Sequence, residues 1–215
     1  MNKITLILLL AMGIASCTGE KKADQTLSEV SKQDVVIENI LSRRSIRSYQ
    51  PEQVKQEQLD LIMKCAINAP SAMNKQSWQV KIVQNQDLLK RMNQGFVEHT
   101  IKQNPDQDLS SFQDPKFSIY HNAPTVIFVA REKGNVMSEM DCGLLVQNIL
   151  LSAEAMDIGT CVLGGLPRYL LEDEALLAEL DLPETHELSI AIAIGYKNER
   201  PDAKPRDPGK VSYIR

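Results

Sequence analysis

The stretch SEMDCGLLVQNILLSAEAMDIG, residues 138–159, decides the fold because almost every side of it is apolar once it is wound into a helix. Ser138 followed three positions later by Asp141 has the form of a capping box, and Gly159 is a natural C-terminal stop. Between them, residues 144–156 leave no continuous polar face, and a helix of that kind has to be covered all round. In a small domain one helix is rarely central unless a second chain covers its outer side. The stretch therefore predicts a homodimer with this helix in the interface.

Outward from it, TCVLGGL (residues 160–166) reads as a short strand ending in paired glycines, and RYLLEDEALLAELDLP (168–183) as a further helix. WQVKIVQ (78–84) alternates and is β-branched, while PTVIFVAR (124–131) and LSIAIAIGY (188–196) are apolar enough for the centre of a sheet. DVVIENILSRR (34–44) is a helix with a basic last turn, and QLDLIMKCAINAP (58–70) is a second, stopped at Pro70. Residues 85–124 are long and irregular after one helix, a suitable place for a substrate lid. The closing VSYIR (211–215) has no hairpin partner in sequence and would fit as an added edge strand.

The chain has 215 residues, 43% of them hydrophobic, and a net charge of −4. Residues 4–14 are an apolar run, only ~16 Å long as a helix against a ~30 Å bilayer core, so they read as a signal peptide rather than a membrane span. Ala15 and Ser16 directly before Cys17 resemble a bacterial lipobox, in which Cys17 becomes the lipidated N-terminus; a chance cysteine in an ordinary signal peptide is the plainer alternative. The expected order is a signal segment over 1–17, a polar tether over 18–34 and one domain over 35–215, exported and lipid-anchored to a bacterial membrane, or cytoplasmic if the signal is not used.

Basic residues are outnumbered by acids and form no long run, which argues against nucleic acid as a partner. Cys65, Cys142 and Cys161 lack the close spacing of a zinc or redox motif, and His99, His121 and His186 are scattered. No metal site and no Cys/His nucleophile is expected.

Four motifs remain. LSRRSIRSYQ (41–50) concentrates Arg43, Arg44, Ser45 and Arg47 at a helix end, where basic residues either complement the macrodipole or bind a phosphate. NAPSAMNKQSW (68–78) is a polar turn between helix and strand; it is either simply a loop or a set of amides and hydroxyls (Ser71, Asn74, Gln76) that read the edge of a heteroaromatic ring. The glycines of TCVLGGL make a tight turn or admit a flat ligand close to the backbone. AKPRDP adds Lys204 and Arg206, a solvated charge pair when taken alone.

Together and in this order, RRSIRSY, APSAMNKQSW and IGYKNERPDAKPR resemble the FMN-dependent nitroreductase family, over essentially all of residues 35–215. That resemblance implies an α+β fold, nitroreductase-like, with a central mainly antiparallel sheet flanked by helices in an intertwined homodimer. It implies that Arg43, Lys204 and Arg206 grip the FMN phosphate, that Arg44 and Ser45 hold the ribityl and phosphate region, and that Arg47 sits at the N1 and O2 edge of the isoalloxazine. Pro70, Ser71, Ala72 and Asn74 would come from the partner subunit, and Leu163, Gly164 and Gly165 would lie along the ring near N5. Each charge-assisted bond to the phosphate is worth ~1.5–3 kcal/mol, so several cations are needed for retention.

The implied chemistry is transfer of two electrons from NAD(P)H to a nitroaromatic, quinone or similar small acceptor by a ping-pong route, with no catalytic acid, base or nucleophile required of the protein. Phe96, Phe112, Phe117 and Tyr120 would either stack on the acceptor or pack in the core. Two alternatives stand beside this: a flavin-binding lipoprotein without turnover, and a relative with dehalogenase or flavin-fragmenting chemistry. Ser77 and Gly164 depart from the family pattern. The first, where many relatives have proline, should alter only loop stiffness; the second bears on substrate preference.

Overall fold

The computed structural model describes residues 31–215. The expected signal segment with Cys17, and residues 18–30 of the expected tether, lie outside the described residues. From Lys32 onward the chain is one compact unit, and residues 32–34 already belong to its first helix, α1 (Lys32–Ser42).

Four strands, β1 (Trp78–Val83), β2 (Thr125–Glu132), β3 (Ile158–Leu163) and β4 (His186–Tyr196), form one antiparallel sheet in the order β1-β2-β4-β3. The two-residue period of the central strands splits the core in two. β2 sends Ile127 and Val129 to one face, and Val126 and Phe128 to the other; β4 does the same with Ile192 and Ile194 against Ala191 and Ala193. The first face is covered by α2 (Gln56–Ala66) and α4 (Ser138–Glu154), the second by α3 (Gln86–Gln103) and α5 (Gly165–Leu170). The expected α+β architecture, an antiparallel sheet between helices, is what the chain adopts.

α4 meets the sheet and α2 through Cys142, Leu145, Val146, Ile149, Leu150 and Ala153. On its other side Met140 and Leu144 remain 53% and 39% exposed. α1 buries none of its residues and leaves Val35, Val36, Ile40 and Leu41 at least half exposed, held to α4 by Asn39 Nδ2 donating to Leu151 O at 3.0 Å. Between α1, α2 and α4 runs an apolar groove of about 810 Å³.

Four local expectations are corrected. The capping box does not form: α4 starts after Met137 with no side-chain cap, because Ser138 and Asp141 are turned to another task described below. Gly159 does not stop the helix. α4 ends at Glu154, Asp157 turns the chain with φ +55, and Gly159 lies inside β3, where a Cβ would meet the Ile46 side chain at 2.9–3.0 Å. The single helix expected over 168–183 is two, α5 and α6 (Glu174–Ala178), because Asp173 starts a new one by accepting from Leu176 N at 3.1 Å. Finally, VSYIR pairs with no strand among the described residues, and Tyr213 and Ile214 are 83% and 101% exposed.

Candidate active site

The segment after α1 is laid against the sheet edge. Ile46 N donates to Thr160 O, Gln50 N to Tyr196 O and Asn198 N to Ser48 O, each at 3.0 Å. Ile46 is buried and acts as the anchor, with Tyr49 OH donating to its carbonyl at 2.6 Å; burial pushes the Tyr49 phenol far above its usual range. Fixing Ile46 in this way fixes where its polar neighbours can reach.

Those neighbours converge with the C-terminal segment. Arg43, Arg44, Ser45 and Arg47 share a cavity of about 110 Å³ with Pro201, Asp202, Lys204 and Arg206. Five cations thus face one carboxylate. Among the described residues, none of the five forms an ion pair with an acid, whereas Arg91, Arg131, Lys197 and Arg200 all do. Arg206 Nη1 reaches only backbone, Lys204 O at 3.2 Å and Pro205 O at 3.4 Å. Arg44 Nη1 donates to Leu41 O at 2.6 Å, so for this one residue the helix-end reading of the motif also holds. A concentrated, unneutralised donor set on a small cavity suits a phosphate monoester.

Sequence reasoning missed what holds this arrangement. Lys197, its side chain only 8% exposed, pairs with Glu154 at 2.9 Å and Asp157 at 3.1 Å, and Arg200 pairs with Asp157 at 2.8 Å. These contacts tie the segment after β4 to the end of α4. The hydrogen bond from Arg200 is the largest of the influences that hold the Asp157 carboxyl below its usual range. Glu199 accepts from the Arg47 amide. The ion-pair partners are about 40 residues apart in the chain and Arg47 and Glu199 are 152 apart, and no local pattern marks them.

The polar loop before β1 is built differently. Ser71 Oγ accepts from Gln76 N at 3.0 Å, Ser71 O from Asn74 N at 3.0 Å and Ala72 O from Lys75 N at 3.1 Å, while Met73, Asn74 and Gln76 take left-handed backbone. Asp141, wholly buried in α4, anchors it by accepting from Ala72 N at 3.1 Å and Ser77 Oγ at 3.3 Å. Ser138 Oγ donates to Ser77 O at 2.5 Å and accepts from Glu132 N at 2.9 Å. Ser77 is therefore an anchor point rather than a change in stiffness. The pair that looked like a helix cap holds this loop.

Pro70, Ser71, Ala72 and Asn74 are not brought to the cations within one chain. The loop is fastened at Asp141 and the cation cluster is braced at Glu154, and the helix between them spans roughly 20 Å. Leu163, Gly164 and Gly165 close β3 and open α5: Leu163 is buried, a Cβ on Gly164 would meet nothing within 4 Å, and one on Gly165 would lie 3.3 Å from Ile119 Cδ1. Phe96, Phe112 and Phe117 form one aromatic cluster, with the Phe112 and Phe117 centroids 4.8 Å apart, while Tyr120 is buried in the core. Burial pushes the thiols of Cys142, to about 11, and Cys161 upward, which suits small core residues and not nucleophiles.

An antiparallel sheet between helices, with a cation-lined cavity where its edge strand meets the segment after α1, defines an α+β protein whose sheet edge carries a concentrated set of anion-binding groups. Residues 40–196 match the family model described as "Nitroreductase family", and the chain belongs to that family. A putative NADH dehydrogenase/NAD(P)H nitroreductase of Archaeoglobus fulgidus is 32% identical over 76% of this chain and 86% of its own. Among solved structures, a nitroreductase with bound FMN from Bacteroides fragilis NCTC 9343 has a TM-score of 0.73 and 26% identity, covering 84% of this chain and 98% of that one. A nitroreductase with bound FMN from Desulfitobacterium hafniense DCB-2 has a TM-score of 0.75, 26% identity and the same two coverages.

Proposed function

We propose that the protein is an FMN-dependent oxidoreductase that takes two electrons from NAD(P)H and passes them to a nitroaromatic, quinone or similar small acceptor in a ping-pong sequence. The observation that carries this reading is the set of five cations gathered on one cavity, none of them in an ion pair among the described residues. Arg43, Lys204 and Arg206 bind the phosphate and Arg44 and Ser45 the ribityl chain. Arg47, on the same cavity, sets a fixed positive charge beside the pyrimidine edge of the ring. Bound FMN supplies the two-electron carrier, so the protein's work is to bind, orient and exclude water. Leu163, Gly164 and Gly165 supply the floor, and the bare Gly164 leaves room over it.

The working form is a homodimer. The unburied apolar faces of α1 and α4 favour it, as does a loop of Pro70, Ser71, Ala72 and Asn74 that one chain holds away from its own cations and a second copy can supply. The purified protein should be yellow; NADH or NADPH under nitrogen should bleach it, and a quinone should restore the colour. A preparation that is colourless once excess FMN has been added and the unbound FMN removed by gel filtration sinks the reading, and one that retains FMN but is never bleached is a binding protein instead. Sedimentation should give twice the chain mass.

We also propose export and lipid attachment at Cys17. Cys17→Ser should move the protein from the membrane fraction to the soluble one, and unchanged partition would remove the anchor.

A further inference from the structure

Arg47 faces two cavities. Beyond the cation-lined one, it shares a second, of about 300 Å³, with residues 116–119, 121 and 122. That wall is built. Asn93 Oδ1 accepts from Ile119 N at 2.8 Å, Asn93 Nδ2 donates to Phe117 O at 3.2 Å, and the buried Ser118 Oγ accepts from Asn122 N at 3.0 Å. His121 and Asn122 both hold left-handed backbone, φ 56° and 54°, an arrangement that non-glycine residues keep mainly where the surroundings impose it.

The lining has a consistent chemistry. Lys116 and Arg47 bring charge, His121 and Asn122 bring hydrogen-bonding groups, and Phe117 brings an aromatic ring already packed on Phe112. Among the described residues no carboxylate lines the cavity, and the nearby Glu199 is engaged by the Arg47 amide. Burial first, and Arg47 second, hold the His121 imidazole below its ordinary value, so at neutral pH it is an uncharged donor and acceptor beside two fixed cations.

We propose that this cavity seats the acidic group of a small aromatic substrate, with Lys116 and His121 selecting the acid over its neutral analogue. The inference deepens the oxidoreductase reading and rests on it for the word substrate, since the shared Arg47 sets the acid beside the cofactor pocket. A cavity of this size takes a single-ring acid, and a carboxylate between a lysine and an imidazole gains charge-assisted bonds that an amide does not.

Benzoate and its shape-matched neutral analogue benzamide are the probes, since neither is reducible by a flavin. Both are titrated calorimetrically into the purified protein, with FMN content read from visible absorbance in the same sample. Benzoate should bind about tenfold more tightly than benzamide. Lys116→Gln, at an exposed position, should cut that preference to about threefold or less, and His121→Asn, which tolerates the left-handed backbone, should weaken benzoate several-fold. FMN content should stay unchanged in both variants. Equal binding of the two probes by the unaltered protein, or a preference unchanged in both variants, overturns the proposal. Missing FMN with the preference intact would sink the oxidoreductase reading alone; FMN present without the preference would sink only this site.

Discussion

The two ends of α4 are both rich in polar groups and are prepared in opposite ways. At its start, the loop over 70–76 is closed on itself by backbone and side-chain bonds and nailed down by the buried Asp141. At its end, Arg43, Arg44, Arg47, Lys204 and Arg206 are crowded together, and among the described residues no acid is paired to any of them. A region that satisfies itself is a fixed surface, ready to be presented to something else. A region that accumulates like charge lacks a partner and is relieved when an anion arrives. The polar residues that matter for binding are thus told apart from those that matter for shape by what they lack in the folded chain.

If that contrast is right, the largest effect on folding belongs to the self-satisfied end. Asp141→Ala removes a wholly buried carboxylate and strands Ser77 Oγ and Ala72 N, which should cost about 3 kcal/mol by urea unfolding. FMN at saturation should recover little of that loss if the loop's failing is structural. Arg43→Ala combined with Arg206→Ala should do the reverse. Among the described residues neither side chain has an acid partner to lose, so the cofactor-free fold should keep its stability, while FMN affinity falls about a hundredfold, read by equilibrium dialysis. A double variant that unfolds, or one that holds FMN as well as the unaltered protein, would erase the distinction between the two ends.

The same contrast explains what could be read from the chain beforehand. The strands over 78–83, 125–132 and 188–196 announce themselves by alternation and β-branching, because a sheet covered on both faces has few other solutions. RRSIRSY and AKPR each have a plain structural reading when taken alone, a helix end and a solvated charge pair, and only their order beside APSAMNKQSW singled them out; the fold then gathers their cations on one cavity. What misled was local chemistry with a long-range purpose. Ser138 and Asp141 have the spacing of a cap, yet their partners Ser77 and Ala72 are more than 60 residues away. Gly159 looks like a helix stop because nothing near it in sequence says that Ile46 will press against it. The brace at Lys197 was invisible for the same reason.

That brace gives a smaller test. Glu154→Gln leaves Lys197, almost buried, with Asp157 as its remaining acid, and should cost about 1 kcal/mol at neutral pH. Because the brace holds the segment carrying Lys204 and Arg206, FMN should dissociate a few-fold faster. A loss of stability with no change in the FMN off-rate would make the ion pair a strut of the fold with no bearing on the cavity.

The smallest effect is the one most specific to the unpaired charge. His121 in the folded chain titrates below its ordinary value of 6.5, chiefly through burial and next through Arg47, with Glu199 opposing. A base held below its unfolded value contributes stability that is complete above about pH 6.5 and is lost as the pH falls through the folded value, because the unfolded chain then binds the extra proton. His121→Asn should flatten that limb of the stability curve between pH 7 and 5. Filling the neighbouring cavity tests the origin of the shift. A phosphate bound among Arg43, Lys204 and Arg206 sets negative charge against Arg47's positive charge, so the His121 ring proton resonances should titrate at a higher pH with FMN bound than without it. A titration that does not move on FMN binding would mean that burial alone sets the shift and that the cations at this end of the molecule do not reach the second cavity.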